Sequence, residues 1–189
     1  MSTRNHTRQI LIETTAKLLQ NQGYNATGLN QITQLSGAPK GSLYYHFPEG
    51  KEQLACEAVS HTKNVTLANL RSVLDSKADA TQAVQELLMV LAEQVDRKNA
   101  ELGIPLGVIA HETAGSNENI RKACCGVYNA WIAEFENKFV ACGYAPEEAK
   151  EIAVSINALI EGSMIMCMTQ RDSAPLRTAA KLVPRLLQA

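Results

Sequence analysis

Apolar residues recur along this chain at helical spacing almost from end to end. In RQILIETTAKLLQNQGY, Leu11, Thr15, Leu18 and Leu19 fall at i, i+4, i+7 and i+8. They therefore share one face of a first helix of about four turns, and Gly23 supplies its C-terminal stop. Thr27 then caps a short second helix whose Leu29, Ile32 and Leu35 point inward. Gly37 closes that helix, because glycine enters the left-handed conformation that other residues resist. Pro39 begins a third helix with Ala38 as its N-cap, since a proline at the first helical position forfeits no hydrogen bond. Leu43 and Phe47, four apart, turn to the core. Two short helices joined across residues 36–38 make a helix-turn-helix.

The same spacing predicts a long helix over 51–76 with Leu54, Ala58, Val65 and Leu70 inside, and another over 80–99 through Val84, Leu87, Leu88 and Leu91. Gly103, Pro105, Gly107 and Gly115 leave room only for a short helix around 106–113. Helix returns over 119–142, where Tyr128, Trp131, Phe135 and Phe139 stand at i, i+3, i+7 and i+11. Pro146 opens the last long helix, which runs to about residue 171. Its stretch IAVSINALIEGSMIMCMTQR is apolar nearly all round except for Glu161, so both faces should be buried, and one monomer does not easily supply both walls. No strand-like alternation or internal repeat stands out, and the expected fold class is all-α.

At 189 residues the chain can hold one sizeable core, or a small module attached to a larger one. A net charge of −1 excludes a wholly basic nucleic-acid coat. The distribution says more, because residues 1–51 carry Arg4, Arg8, Lys17, Lys40 and Lys51 against Glu13 and Glu49. MSTRNHTRQI has no apolar signal-like core, and no stretch reaches the roughly 18 uncharged apolar residues of a membrane span, so a cytoplasmic location without a membrane partner is expected.

Five cysteines (Cys56, Cys124, Cys125, Cys142, Cys167) form an odd set without a C-x-x-C pair, which fits reduced thiols. A thiol- or metal-responsive sensor using Cys124, Cys125, Cys142 and Cys167 is an alternative, although neighbouring cysteines on a helix point about 100° apart. Catalytic motifs are missing: there is no Gly-rich phosphate loop, no G-x-S-x-G elbow and no H-E-x-x-H pair. His111-Glu112 lacks the helical spacing that places two ligands on one metal, and His111 reads as a core or pocket residue. Neither an enzyme nor a cofactor is expected.

With Leu43 and Phe47 inward, the third helix displays Lys40, Gly41, Ser42, Tyr44, Tyr45 and His46. In isolation, YYH reads first as a half-buried aromatic ledge closing a small core. Its neighbours favour a groove-reading surface: Lys40 reaches a phosphate, Gly41 admits a close backbone, and Ser42, Tyr44 and His46 donate to phosphate oxygens or base edges. Ala38 has no acceptor side chain, which leaves the first N–H groups of the helix for an anion.

TGLNQITQLSGAPKGSLYYHFPEGKEQL resembles the helix-turn-helix of the tetracycline-repressor (TetR) family of transcriptional regulators. The resemblance covers residues 8–58, with Gly23-Tyr24, Thr27, Ile32, Gly37, Lys40-Gly41, Leu43-Tyr44, His46-Phe47 and Lys51-Glu52 in register. Gly28 and Asn30 depart from the commoner residues there. Glu49-Gly50 lengthens the loop before Lys51 by one residue, as in a branch similar to the LmrA-like and YxaF-like repressors.

The resemblance implies an N-terminal three-helix DNA-binding domain over 4–64 and a C-terminal helical ligand-binding and dimerisation domain over 65–189. It implies that Thr27, Lys40, Tyr44, Tyr45, His46 and Lys51 contact the DNA backbone and that Gln31, Ser42 and Tyr44 reach bases. It further implies a homodimer built on the two long C-terminal helices, whose inner faces line an effector cavity. Met89, His111, Tyr128, Trp131, Phe135, Glu161, Met164 and Met168 are the candidate lining, because thioethers and aromatic faces suit an apolar ligand. A buried Glu161 would need a ligand donor, a cation, or a basic group of the chain itself. The implied function is a one-component repressor that binds a palindromic operator and is released by a small apolar or aromatic molecule.

Overall fold

Helices are the regular structure among residues 3–97 and 106–187, which the computed structural model describes. They are α1 (Thr3–Ala26), α2 (Leu29–Ser36), α3 (Lys40–His46), α4 (Lys51–Asp75), α5 (Ala80–Asp96), α6 (Leu106–Thr113), α7 (Glu118–Ala141), α8 (Pro146–Gln170) and α9 (Ala174–Leu186). Gly103 and Pro105, expected to bound α6, and residues 98–99, expected to end α5, lie outside the described residues.

The described residues divide into two compact units, one within Met1–Asn64 and Gly103–Val127, the other within Val65–Leu102 and Tyr128–Ala189. The division passes through α4 and α7, and it groups α6 with the helix-turn-helix, where the sequence reading drew a single boundary after residue 64. The grouping has a local cause: α6 packs on α1 and buries Leu106, Ile109 and Thr113.

In the first unit the periodic face of α1 is buried as its spacing predicts, with Leu11, Ile12 and Leu18 joining Ile32, Leu43, Phe47 and Leu54 in one core. Arg8 reinforces it, stacking 5.4 Å above the Phe47 ring and pairing with Glu57 of α4. Three local expectations fail. Thr27 is not the cap of α2: Gly28 occupies that position, and the buried Thr27 hydroxyl donates to the Gly23 carbonyl at 2.7 Å. Leu35 is 62% exposed, because an eight-residue helix lying on α1 turns one narrow stripe inward and Ile32 fills it. Pro39, not Ala38, caps α3, and Ala38 is buried. Gly37 does close α2 in the left-handed region, with φ 68°.

In the second unit, α5 and α8 pack with α9 and the distal halves of α4 and α7 around Leu74, Val84, Leu88, Phe135, Phe139, Ile156, Leu176 and Val183. The N-terminus of α5 is capped by the Asp79 carboxylate, which accepts from the Gln82 N–H at 2.8 Å. Long side chains bridge α4 to α7 on this side, with Trp131 Nε1 donating to Thr66 Oγ1 at 3.0 Å and Arg71 paired with Glu134 at 2.5 Å. Val65, expected inside, is 48% exposed.

The sequence reading missed α9, although Leu176, Ala179, Ala180, Val183 and Leu187 already stand at i, i+3, i+4, i+7 and i+11 and are all buried. Phe139, fully buried and stacked 6.4 Å from Phe135, anchors this core. Phe139→Ala is expected to cost about 3–5 kcal/mol in chemical denaturation.

Candidate nucleic-acid interface

The reading helix α3 stands on a platform. Leu43 and Phe47 are fully buried, and their burial turns Lys40, Gly41, Tyr44 and Tyr45 outward. Tyr44 is 45% and Tyr45 61% exposed, so the YYH segment is a displayed surface rather than a core lid. Ser42 and His46 are half-buried, and the His46 ring meets the Tyr45 ring edge-on at 5.0 Å. A side chain at Gly41 would meet nothing in the chain within 4 Å, so packing within the protein does not require glycine there. The lengthened loop also bears on this helix: a Cβ at Gly50 would lie 3.8 Å from the Tyr44 ring.

The remaining DNA candidates are engaged inside the protein. Thr27 is buried in the turn between α1 and α2. Gln31 exchanges hydrogen bonds with Gln22 of α1, at 2.8 and 3.2 Å. Lys51 lies with Nζ 4.2 Å from the centroid of the Tyr24 ring. Burial lowers the Lys51 pKa, with Glu112 opposing, and burial raises that of Tyr24. A candidate that sequence reasoning assigned no role is Glu112, whose carboxylate accepts from the Tyr24 N–H at 2.5 Å and the Asn25 N–H at 3.2 Å.

Four of the candidate effector residues meet at the second core. Phe135 and Met164 are buried in the second core, while Met89 and Trp131 are half-buried against it. The Tyr128 ring meets the Trp131 ring edge-on at 5.9 Å. Glu161 is half-buried instead of enclosed, and Met168 is 46% exposed, because they flank the stripe of α8 that carries Met164 and Cys167 into the core. His111 is exposed on α6, so it is not a core residue, and it belongs to the first unit. An open groove of about 340 Å³ runs along α5 and α9, lined by Gln85, Met89, Arg177, Ala180 and Lys181. Of the candidates, only Met89 lines it.

The cysteines are dispersed. Cys124 and Cys167 are buried and Cys125 is exposed, while the half-buried Cys142 thiol donates to the Ala78 carbonyl at 3.3 Å. Burial pushes the thiol pKa of Cys56 and Cys167 up.

A helix-turn-helix that holds an aromatic, lysine-tipped helix outward on buried Leu43 and Phe47, joined in one all-helical chain to a second core, defines a DNA-binding transcriptional regulator. Residues 11–58 match the family described as bacterial regulatory proteins, tetR family, and residues 80–182 match the transcriptional regulator LmrA/YxaF-like C-terminal domain. The chain belongs to the TetR family, in the group with the LmrA/YxaF-like C-terminal domain; it is a regulator and not an enzyme.

Two relatives come from Bacillus subtilis (strain 168). The uncharacterized HTH-type transcriptional regulator YxaF is 40% identical over 188 residues, 100% of this chain and 98% of its own. The HTH-type transcriptional regulator LmrA is 39% identical over 181 residues, 96% of each chain. A crystal structure of a TetR transcriptional regulator from Chloroflexus aurantiacus J-10-FL superposes with a TM-score of 0.82 at 25% identity, covering 98% of this chain and 96% of that one.

Proposed function

We propose that this regulator is a cytoplasmic repressor that binds a palindromic operator as a homodimer and leaves it when a small apolar or aromatic molecule binds the second unit. The observation that carries the reading is the outward face of α8. Val154, Ile165 and Met166 are 48%, 44% and 50% exposed, and with Ala158 and Gly162 they make an apolar stripe that the single chain leaves uncovered. By length and composition α8 is also the one helix among the described residues apolar enough to cross a membrane. Glu161 interrupts that stretch, and a second copy of the same stripe covers it without a membrane.

Two-fold symmetry would present α3 twice, so the operator would read as an imperfect palindrome. Lys40, Gly41, Ser42, Tyr44, Tyr45 and His46 are its proposed contacts. Repression needs only occupancy of the operator, whereas activation needs a further contact with polymerase. A thiol-responsive alternative has Cys125 as its exposed group.

The effector reading is tested through Trp131, the one tryptophan of the chain. Planar aromatic compounds titrated with and without operator duplex should quench its fluorescence, and the duplex should weaken the quenching compound's binding. A hundredfold release requires a preference of about 3 kcal/mol for the DNA-incompetent state, and linkage makes the effect reciprocal. A compound that quenches Trp131 with the same affinity in both titrations would remove release by effector from the reading.

A further inference from the structure

We infer that Glu112 is a positioning residue for DNA recognition: from α6 it holds the turn at residues 23–26, and through that turn it holds the helices on both sides of the reading helix. The turn creates the need for an acceptor. Gly23 breaks α1 with φ 77° and ψ −177°, a conformation open essentially to glycine alone, and the break leaves the N–H groups of Tyr24 and Asn25 at the start of a new helical turn. Glu112 supplies the acceptor from 88 residues away, and Oε2 takes both N–H groups. The fit is close, since a Cβ at residue 23 would lie 2.7 Å from either carboxylate oxygen. Glycine is thus required here by the backbone, and a side chain at this position would also push the Glu112 carboxylate from its place.

The carboxylate does not serve α6 itself. Glu112 sits in the last turn of that eight-residue helix, where the helix dipole disfavours negative charge. Its stabilisation comes from the charge-assisted hydrogen bonds to the turn.

The turn passes the constraint on in two directions. Gln22 donates to the Ala26 carbonyl at 2.8 Å and pairs with Gln31, which ties the turn to α2. The Tyr24 ring receives the Lys51 ammonium, which ties it to the first residue of α4. α3 lies between α2 and α4 in the chain, so the position of α6 is felt at both of its ends. Gln31 and Lys51 act in this junction, which explains why neither projects as a free donor. A second strut runs beside the first, with Asn119 of α7 donating to Glu52 at 2.7 Å.

The inference rests on DNA reading by α3 and not on release by an effector. The test uses the full-length protein and the duplex it selects from a random library. Glu112→Ala should weaken binding of that duplex roughly tenfold or more and speed hydrogen exchange of the Tyr24 and Asn25 amides by a similar factor, while affinity for random duplex changes by less than about threefold. Glu112→Gln keeps an acceptor at the same place and should restore most of both losses. Lys40→Ala serves as the comparison: it should weaken binding with Tyr24 and Asn25 protection intact, so a failure of the α3 assignment and a failure of the Glu112 assignment look different.

Wild-type affinity in Glu112→Ala would overturn the inference, and so would lost affinity with unchanged exchange at the two amides. Should Glu112→Ala not fold, Glu112→Gln decides alone. Partial loss of amide protection together with a proportionate loss of affinity supports the role, and a change in one without the other overturns it.

Discussion

Aspartate in place of Ile165 is expected to split the proposed dimer and, with it, to remove most of the operator affinity. Ile165 stands outward on α8 in line with Val154, Ala158 and Gly162, so two-fold pairing of this face would bury the new carboxylate twice with no cation opposite. Burying an unpaired charge costs several kcal/mol per ion, which corresponds to roughly a thousandfold or more in dimer affinity. Light scattering at micromolar concentration should then report a monomer, and mobility-shift titration should show operator binding weakened by about two orders of magnitude or more, since one α3 must grip without its partner. Ile156 makes the contrast. It lies in the same apolar stretch, where α8 reads as apolar all round, yet it is 1% exposed and packs into the core of its own chain. Ile156→Asp is therefore expected to unfold the second unit instead of separating two intact chains. A monomeric Ile165→Asp protein that binds a palindromic duplex as tightly as wild type would refute the symmetry argument.

The second large effect belongs to the reading helix. Lys40→Ala and Tyr44→Ala should each abolish operator binding at concentrations where the wild type saturates, with circular dichroism and dimer mass unchanged. Both side chains are exposed and stand beside the buried Leu43, so truncating them leaves the platform intact. A lost base or phosphate contact is worth about 1–3 kcal/mol per half-site, and a symmetric dimer loses it twice, which gives roughly thirtyfold to twenty-five-thousandfold. The two should differ in salt dependence. Loss of Lys40 removes a cation and flattens the dependence of affinity on salt, whereas loss of Tyr44 leaves the slope close to wild type. Wild-type affinity of both variants at matched salt would take the DNA contact away from this face of α3.

The candidate site was legible to the extent that its signals are local. Leu43 and Phe47 are four residues apart, and their burial decides which side of α3 faces out. Gly37 ends α2 in the left-handed region through its own backbone freedom. Thr27, Gln31 and Lys51 show the opposite case. Each has a side chain suited to DNA, and each meets a partner within the chain: the Gly23 carbonyl, Gln22 and the Tyr24 ring. The effector set depends on packing in the same way. Aromatic and thioether residues on one helical stripe say that a wall exists, but whether that wall bounds a cavity depends on what packs against it, and Phe135 and Met164 are packed into core.

The amino-acid sequence by itself determined the helices, the order in which they occur, the helix-turn-helix and the family, because periodicity, glycine stops and a residue pattern in fixed register all act over a few neighbours along the chain. α9 was within its reach as well, since its stripe of Leu176, Ala179, Ala180, Val183 and Leu187 follows the same rule. Only the tertiary structure decided that α6 belongs with the DNA-binding unit, that Ile156 faces inward while Ile165 faces out, and that a glutamate on α6 holds a turn in α1. Those outcomes depend on which surfaces meet. Residues 88 positions apart become neighbours only when the core closes, and no spacing along the chain records the 2.5 Å between Glu112 and the Tyr24 amide.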